Sequence, residues 1–196
     1  MNGWSFTRVR GADELSNYFK CYFDSLDFEE PPRIREVVEL LLEDPDRVEV
    51  IAMRATGGAI VGGYTLVQGE HSTLRGNASA RELEAIEREH DLESAIELTG
   101  VWIHPALRYG HAFSSLWLRA ANDVARRRVW TVIFSAPVRG GGLLRLYADC
   151  CDGVLFEGGR PRQRYFHAAP STFLQIPLRY ADHMRRRIGA APHATL

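Results

Sequence analysis

What the chain lacks narrows it first. It has three cysteines in 196 residues, Cys21, Cys150 and Cys151. An odd number cannot pair fully, and adjacent Cys150 and Cys151 bridge each other only under strain. That excludes a disulfide framework and leads us to expect reduced thiols in a cytoplasmic protein. No apolar run approaches the ~20 residues of a membrane helix. The start, Met1-Asn2-Gly3-Trp4-Ser5, lacks the basic and then apolar stretches of a secretory signal. Neither sign of charge is in excess: 24 Lys and Arg against 25 Asp and Glu leave a formal net charge of −1, which excludes nucleic-acid binding driven by bulk charge. The seven histidines form no His-x-x-x-His pair and no His/Cys cluster, so no metal site is expected. No repeat or low-complexity linker divides the chain, and residues 1–196 read as one domain.

What is present is an ordinary globular composition, 45% hydrophobic and 25% charged, enough for a core without staples. Trp4–Arg10 reads as a weak first strand. Leu15, Tyr18, Phe19, Tyr22, Phe23 and Leu26 fall on one face of a helix. After Pro31-Pro32, a second helical face holds Ile34, Val37, Val38, Leu41 and Leu42, and Asp44-Pro45 ends it. Val48–Ala55 and Ala59–Gln68 form a hairpin around Thr56-Gly57-Gly58. Inside its second strand, Gly62-Gly63 marks a bulge or a close backbone approach.

Residues 70–94 have a different character: a polar loop over Gly69–Ala80, then a helix over Ser79–His90 with Leu83 and Ile86 inward. Strand returns at Ala95–Ile103, followed by a helix over His111–Arg128 and a nearly continuous apolar strand at Val129–Ala136. A Gly-rich loop leads to a short helix over Leu143–Cys150. Val154–Phe156, Arg164–Ala168 and Phe173–Leu178 complete the expected strands, and a polar tail from about 181 to 196 frays. The order predicts an α/β (α+β) fold: a single mixed, mostly antiparallel, twisted sheet of about seven strands flanked by helices.

The chemistry concentrates in Glu97–Gly110. There an apolar strand breaks at His104-Pro105 into a polar loop and opens into a helix near His111. Backbone N–H groups at such a helix start can hold a phosphate chain. The segment Val101-Trp102-Ile103-His104-Pro105-Ala106-Leu107-Arg108-Tyr109-Gly110-His111-Ala112-Phe113 resembles the donor loop of the GNAT superfamily of acyltransferases. Leu146-Tyr147-Ala148-Asp149-Cys150-Cys151 resembles the segment that follows in that superfamily's last helix.

This resemblance implies a GNAT-like fold in which Val101, Trp102, Ile103, Arg108, Tyr109, Gly110, His111 and Ala112 bind the acyl donor. It also implies Glu97 as general base and Tyr147 as the acid that protonates the departing thiolate. Read alone, Glu97 is a strand-end surface carboxylate and Tyr147 a ring packed on the sheet. Tyr109, His111 and Phe113 replace the small residues usual in the loop and would crowd a phosphate chain. That departure points to a donor carried as acyl-phosphopantetheine on an acyl carrier protein, with acyl-CoA as the alternative cosubstrate; no permanently bound cofactor is implied.

The inserted helix, the strand Ile96-Glu97-Leu98-Thr99-Gly100-Val101-Trp102 and the strand Ala59–Val67 resemble the branch of long-chain N-acyl amino acid synthases and acyl-homoserine-lactone synthases. The first helix lacks the arginine pattern of the lactone synthases, which favours the former. The expected reaction is therefore N-acylation of an amino acid's α-amine by a long-chain acyl group from acyl carrier protein. The alternatives are an acetyl-CoA-dependent N-acetyltransferase of a small amine, a lactone synthase, or a fold that binds an acyl carrier without turnover. Tyr18, Phe19, Tyr22 and Phe23 would line an acyl tunnel or simply pack. Arg126, Arg127 and Arg128, with Arg119 and Arg139, would dock an acidic carrier or form a solvated helix end.

Overall fold

A computed structural model describes residues 3–26, 34–44, 46–69, 72–108, 111–138, 141–160 and 162–189. The order opens with β1 (Ser5–Arg8), α1 (Ala12–Leu26) and α2 (Ile34–Glu43). The expected hairpin is β2 (Val48–Arg54) and β3 (Ile60–Gln68). The inserted segment folds as α3 (Thr73–Asn77) and α4 (Ala80–Glu87), so the polar stretch expected as loop contains a helical turn. Ser79 starts α4 with a reciprocal capping box to Glu82, which satisfies two N–H groups at once. Then come β4 (Ala95–Ile103), α5 (His111–Ala125), β5 (Thr131–Pro137), α6 (Gly141–Cys150), β6 (Gly153–Gly158), β7 (Gln163–Ala168) and α7 (Pro170–Gly189).

The strands form one seven-stranded sheet in the order β1-β2-β3-β4-β5-β7-β6. Only β4 and β5 run parallel. One face carries α5, α6 and α7 over Ile51, Tyr64, Leu66, Ile96, Leu98, Phe134 and Phe166. The other carries α1 and α2 over Val50, Ala52 and Trp102, and α3 and α4 over Ala95, Ile133 and Tyr165.

Two expectations are corrected. Phe173–Leu178 is not a strand but the second and third turns of α7, which continues through Arg185-Arg186-Arg187. Its apolar residues are divided as a helix divides them: Phe173 and Ile176 are buried while Leu174 and Leu178 are exposed. Asp152 fixes the start, accepting from the Ala169 N–H and the Thr172 hydroxyl. Pro177 has no N–H to give the Phe173 carbonyl four residues back, and the Trp117 indole points at that carbonyl from 3.5 Å. Residues 27–33, with Pro31-Pro32, and the chain beyond 189 lie outside the described residues.

Gly63 is a close approach. A Cβ there would fall 2.6 Å from the Tyr18 hydroxyl and would run into the Ile51 carbonyl. The bare backbone lets Tyr18 lie across β3 and accept a hydrogen bond from the Trp102 indole at 3.0 Å. Gly63→Ala is expected to destabilise the fold by about 2 kcal/mol through overpacking, lowering Tm by roughly 4–8 °C for a chain of this size. Thermal denaturation followed by circular dichroism checks it.

Candidate active site

The site begins where β4 and β5 part. Their parallel pairing runs from Ala95 opposite Thr131 to Leu98 opposite Phe134, and stops there. β4 continues to Ile103 along β3, and β5 to Pro137 along β7. Past Leu98, the β5-facing N–H and C=O groups of β4 therefore have no ladder partner on that side.

A bulge in β4 falls at the same place. Thr65 pairs with Thr99 but Gly63 pairs with Trp102, so β4 carries one extra residue. Gly100 takes φ +57° there, a left-handed backbone that glycine adopts without penalty. The extra residue shifts the side-chain alternation. Glu97, Thr99 and Trp102 share the α1–α4 face, while Leu98 and Ile103 pack with α5 and α6.

The residues expected to bind the donor follow. Trp102 and Ile103 are buried and Val101 half-buried. His104 caps a single 3-10 turn, Pro105–Leu107, its ring nitrogen facing the Ala106 N–H at 3.4 Å. Arg108 is exposed, and its guanidinium donates to the carbonyls of Ile103 and Ser25, tying the loop to the end of α1. His111 opens α5 on the surface, and Ala112 is buried beneath it. Tyr109 and Gly110 lie outside the described residues. Phe113, half-buried on α5, stacks on Trp117 at 5.6 Å and 21° and packs against the core.

Glu97 is not the surface carboxylate that its strand-end position suggests: only 1% of it is exposed. Its oxygens accept from the Ser72 hydroxyl at 2.6 Å, from the Thr73 hydroxyl and from the Leu74 N–H at 3.3 Å. Thr73 in turn meets the Tyr165 hydroxyl at 3.1 Å, and Asn77 donates to that hydroxyl at 2.7 Å. The carboxylate thus caps α3 from the neighbouring strand. Burial raises its pKa, against the lowering effect of its donors. A cavity of about 10 Å³ touches it, walled in part by Val67, Ser72, Arg75 and Ile133, room for one water at most.

Tyr147 is buried on the opposite face, its ring edge-on to Phe134 at 4.7 Å, the last β5 residue paired with β4. Burial raises its pKa. No described residue hydrogen-bonds its hydroxyl, whereas every sealed polar side-chain atom among the described residues has a partner. The hydroxyl therefore reaches accessible space. Burial also pushes the thiols of Cys150 and Cys151 up, Cys151 to about 11, so neither is a ready thiolate. Among the described residues no three His, Cys, Asp or Glu side chains gather to hold a metal. No described helix is long and apolar enough to cross a membrane.

The rings expected along an acyl tunnel pack against one another. Tyr18 and Phe19 are buried, and Tyr18 and Tyr22 meet Trp102 edge-on. A cleft of about 350 Å³ lies instead at the β1 edge among Val9, Leu15, Leu41, Val48 and Val50, and none of the four rings lines it. Of the arginines, Arg126 and Arg128 are exposed. Arg119 pairs with Asp123 at 2.9 Å and covers Phe6, and Arg127 pairs with Glu49; Arg139 lies outside the described residues.

Sequence reasoning missed Ser72, Thr73, Asn77 and Tyr165, the partners of Glu97. The signal was a Ser-Thr pair opening a polar stretch, which reads as plain loop until the strand beneath it is known.

Because Glu97 has a folded pKa above its unfolded value, its contribution to stability is complete below the ordinary carboxylate range and is lost as pH rises through the raised value. Wild-type stability is expected to fall from about pH 4.5 upward relative to Glu97→Gln, which cannot ionise. Urea unfolding of both proteins across pH 4–8 checks this; parallel pH curves would refute it.

No family model and no curated protein sequence matches the chain. Solved structures match its fold. A candidate acetyltransferase of the GNAT family from Desulfovibrio desulfuricans aligns with TM-score 0.60 at 10% identity, covering 86% of this chain and 99% of the other. A spermidine N-acetyltransferase chimera of Vibrio cholerae SpeG and hSSAT aligns with TM-score 0.57 at 13% identity, covering 87% and 98%. The yncA protein of Salmonella typhimurium, a candidate acetyltransferase with its cofactor acetyl-CoA, aligns with TM-score 0.54 at 12% identity, covering 87% and 94%. The seven-stranded sheet, with its one parallel pair, has the GNAT fold.

Proposed function

We propose that the protein is an acyl-CoA-dependent N-acyltransferase that moves a short acyl group, acetyl in the simplest case, to a primary amine. The observation that carries this is the parting of β4 from β5 beyond Leu98 and Phe134, with a bulge on the β4 arm and α5 opening just past the C-terminal end of that arm. A pantetheine arm fits between two strands that have stopped pairing, because its amides can bond the freed backbone groups. The start of α5 then faces the phosphates.

In this reading the thioester carbonyl lies at the parting, where N–H groups of Val101, Trp102 or Ile103 stabilise the oxyanion. Glu97 is the proton sink. Its oxygens are covered by the half-buried hydroxyls of Ser72 and Thr73, so the ammonium proton arrives by relay: a hydroxyl accepts it while passing its own to the carboxylate. The neutral amine attacks the carbonyl and forms the C–N bond. The C–S bond then breaks, and the thiolate takes a proton from the Tyr147 hydroxyl. Solvent takes the second amine proton and the one held by Glu97 and returns a proton to the tyrosinate, so both residues are restored and one proton is released overall.

The neighbours favour coenzyme A as the carrier: the Salmonella structure holds acetyl-CoA, and the Vibrio-derived chimera is named for acetylating an amine. The finer expectations of a long acyl chain, an acyl carrier protein, an amino acid acceptor and membership of the synthase branch rest on no further observation and are set aside. Of the residues that gave them physical grounds, Phe113 packs against the core and the α1 rings enclose no channel among the described residues, while His111 is exposed and Tyr109 lies outside the described residues.

Incubation with acetyl-CoA and a panel of primary amines, followed by thiol release and product mass, tests the reading; no acylated amine from any of them would sink it. Tyr147→Phe is expected to lower kcat about 100-fold with KM for acetyl-CoA unmoved.

A further inference from the structure

One row of the sheet is built unlike its neighbours. On the α1–α4 face, Thr65 lies opposite Thr99 across β3 and β4. Ser135 lies opposite Tyr165 across β5 and β7. Thr99 and Ser135 each directly follow the last paired residues, Leu98 and Phe134. Three hydroxyls, from Thr65, Thr99 and Ser135, therefore border the parting of β4 and β5, and in-register side chains of antiparallel strands stand about 5 Å apart.

None of the three makes a hydrogen bond with any described residue. Thr65 is only 5% exposed, yet every sealed polar side-chain atom among the described residues is partnered. Its hydroxyl must therefore open onto accessible space, and it points toward the bulge, 3.6 Å from where a Gly100 Cβ would be. Three unpartnered hydroxyls in the middle of a sheet are costly unless a ligand or water satisfies them.

The surroundings state what that ligand is. Along β4 the next residue of this face in one direction is Glu97, about 6.5 Å away by strand geometry; in the other it is Trp102, against which Tyr18 and Tyr22 pack. On β3 and β5 the flanking residues of the face are Gly63, Val67, Ile133 and Pro137. No Lys or Arg stands among them. An ammonium group finds aromatic rings on one side and, on the other, Glu97 behind the half-buried hydroxyls of Ser72 and Thr73. A hydroxyl finds hydroxyls. Among the described residues of this face, a carboxylate finds no counter-charge and meets Glu97.

We infer that the Thr65–Thr99–Ser135 row is the acceptor subsite, and that it selects small hydroxylated primary amines, such as amino alcohols or amino sugars, over amino acids. This deepens the acyltransferase reading and rests on it for the chemistry, but binding by the row is measurable without turnover.

Ethanolamine and glycine are the matched probes, alike in size and differing in a hydroxymethyl against a carboxylate, with glucosamine as a larger hydroxylated amine. Ligand-observed NMR in the presence of CoA measures binding, and acetyl transfer from acetyl-CoA measures turnover. Ethanolamine or glucosamine is expected to bind at least tenfold more tightly than glycine. The near-isosteric double variant Thr65→Val/Ser135→Ala is expected to weaken that binding at least tenfold while CoA affinity and the circular dichroism spectrum stay as in the wild type.

Glycine binding as well as ethanolamine, no binding of either hydroxylated amine, or a double variant that binds them unchanged would each overturn the row. Should the double variant fold poorly, the single Ser135→Ala variant, at a half-exposed position, carries the same expectation with a smaller loss. Variant-sensitive binding without acetyl transfer would overturn the acetyltransferase reading and leave the row standing. Transfer that ignores the substitutions would do the reverse.

Discussion

One extra residue in β4 governs the working part of this molecule. Hydrogen-bonded sheets tolerate an odd residue only by letting it leave the ladder, and Gly100 does so with a left-handed backbone. The insertion re-aims every side chain after it. Without it Trp102 would face α5 and Ile103 would face α1, and both packed layers would meet the wrong surface. Because strands alternate with a period of two, one residue exchanges the two faces completely. The bulge also comes where β4 lets go of β5, so the same local irregularity that corrects the packing borders the opening between the strands.

Glu97 shows how the fold places a costly group. A carboxylate sealed in a sheet is unfavourable unless donors surround it, and here they come from α3, which has no side-chain cap of its own at Ser72. Strand and insertion solve each other's problem: the helix start needs an acceptor and the carboxylate needs donors. Tyr165 and Asn77 extend the network to β7, so the inserted segment is attached to the sheet through polar bonds as well as through Leu74 and Ile86.

Much of this was legible beforehand, for identifiable reasons. The hairpin, the strand from Ala95 and the helix from His111 carry strong periodic patterns and clear breakers, and they form as read. The strand–loop–helix at Ile103-His104-Pro105 and Arg108 pointed to the fold because its residues serve backbone geometry. Phe173–Leu178 misled because Phe-Leu-Gln-Ile-Pro-Leu reads equally well with a period of two, and only the cap from Asp152, far off in sequence, decides for helix. The burial of Glu97 was hidden for a similar reason: its partners lie 23 to 25 residues earlier, in a stretch whose own pattern is polar. The hydroxyl row was invisible because it depends on the register of four strands. The placing of Phe113, whose ring stacks on Trp117, was equally invisible, because loop spacing does not show which way a ring turns.

The contact between Gly63 and Tyr18 reaches beyond local packing. A phenol lies where β3 would otherwise carry a side chain, so the two positions fill one volume between them. Substitutions at either site should not add independently, because a side chain at 63 meets the ring at 18 as well as the Ile51 carbonyl. Losing that ring also removes the hydrogen bond to Trp102, which stands next to the acceptor row. Among distant relatives of this fold, positions equivalent to 18 and 63 are expected to vary as a pair, and the shape of the acceptor side to vary with them.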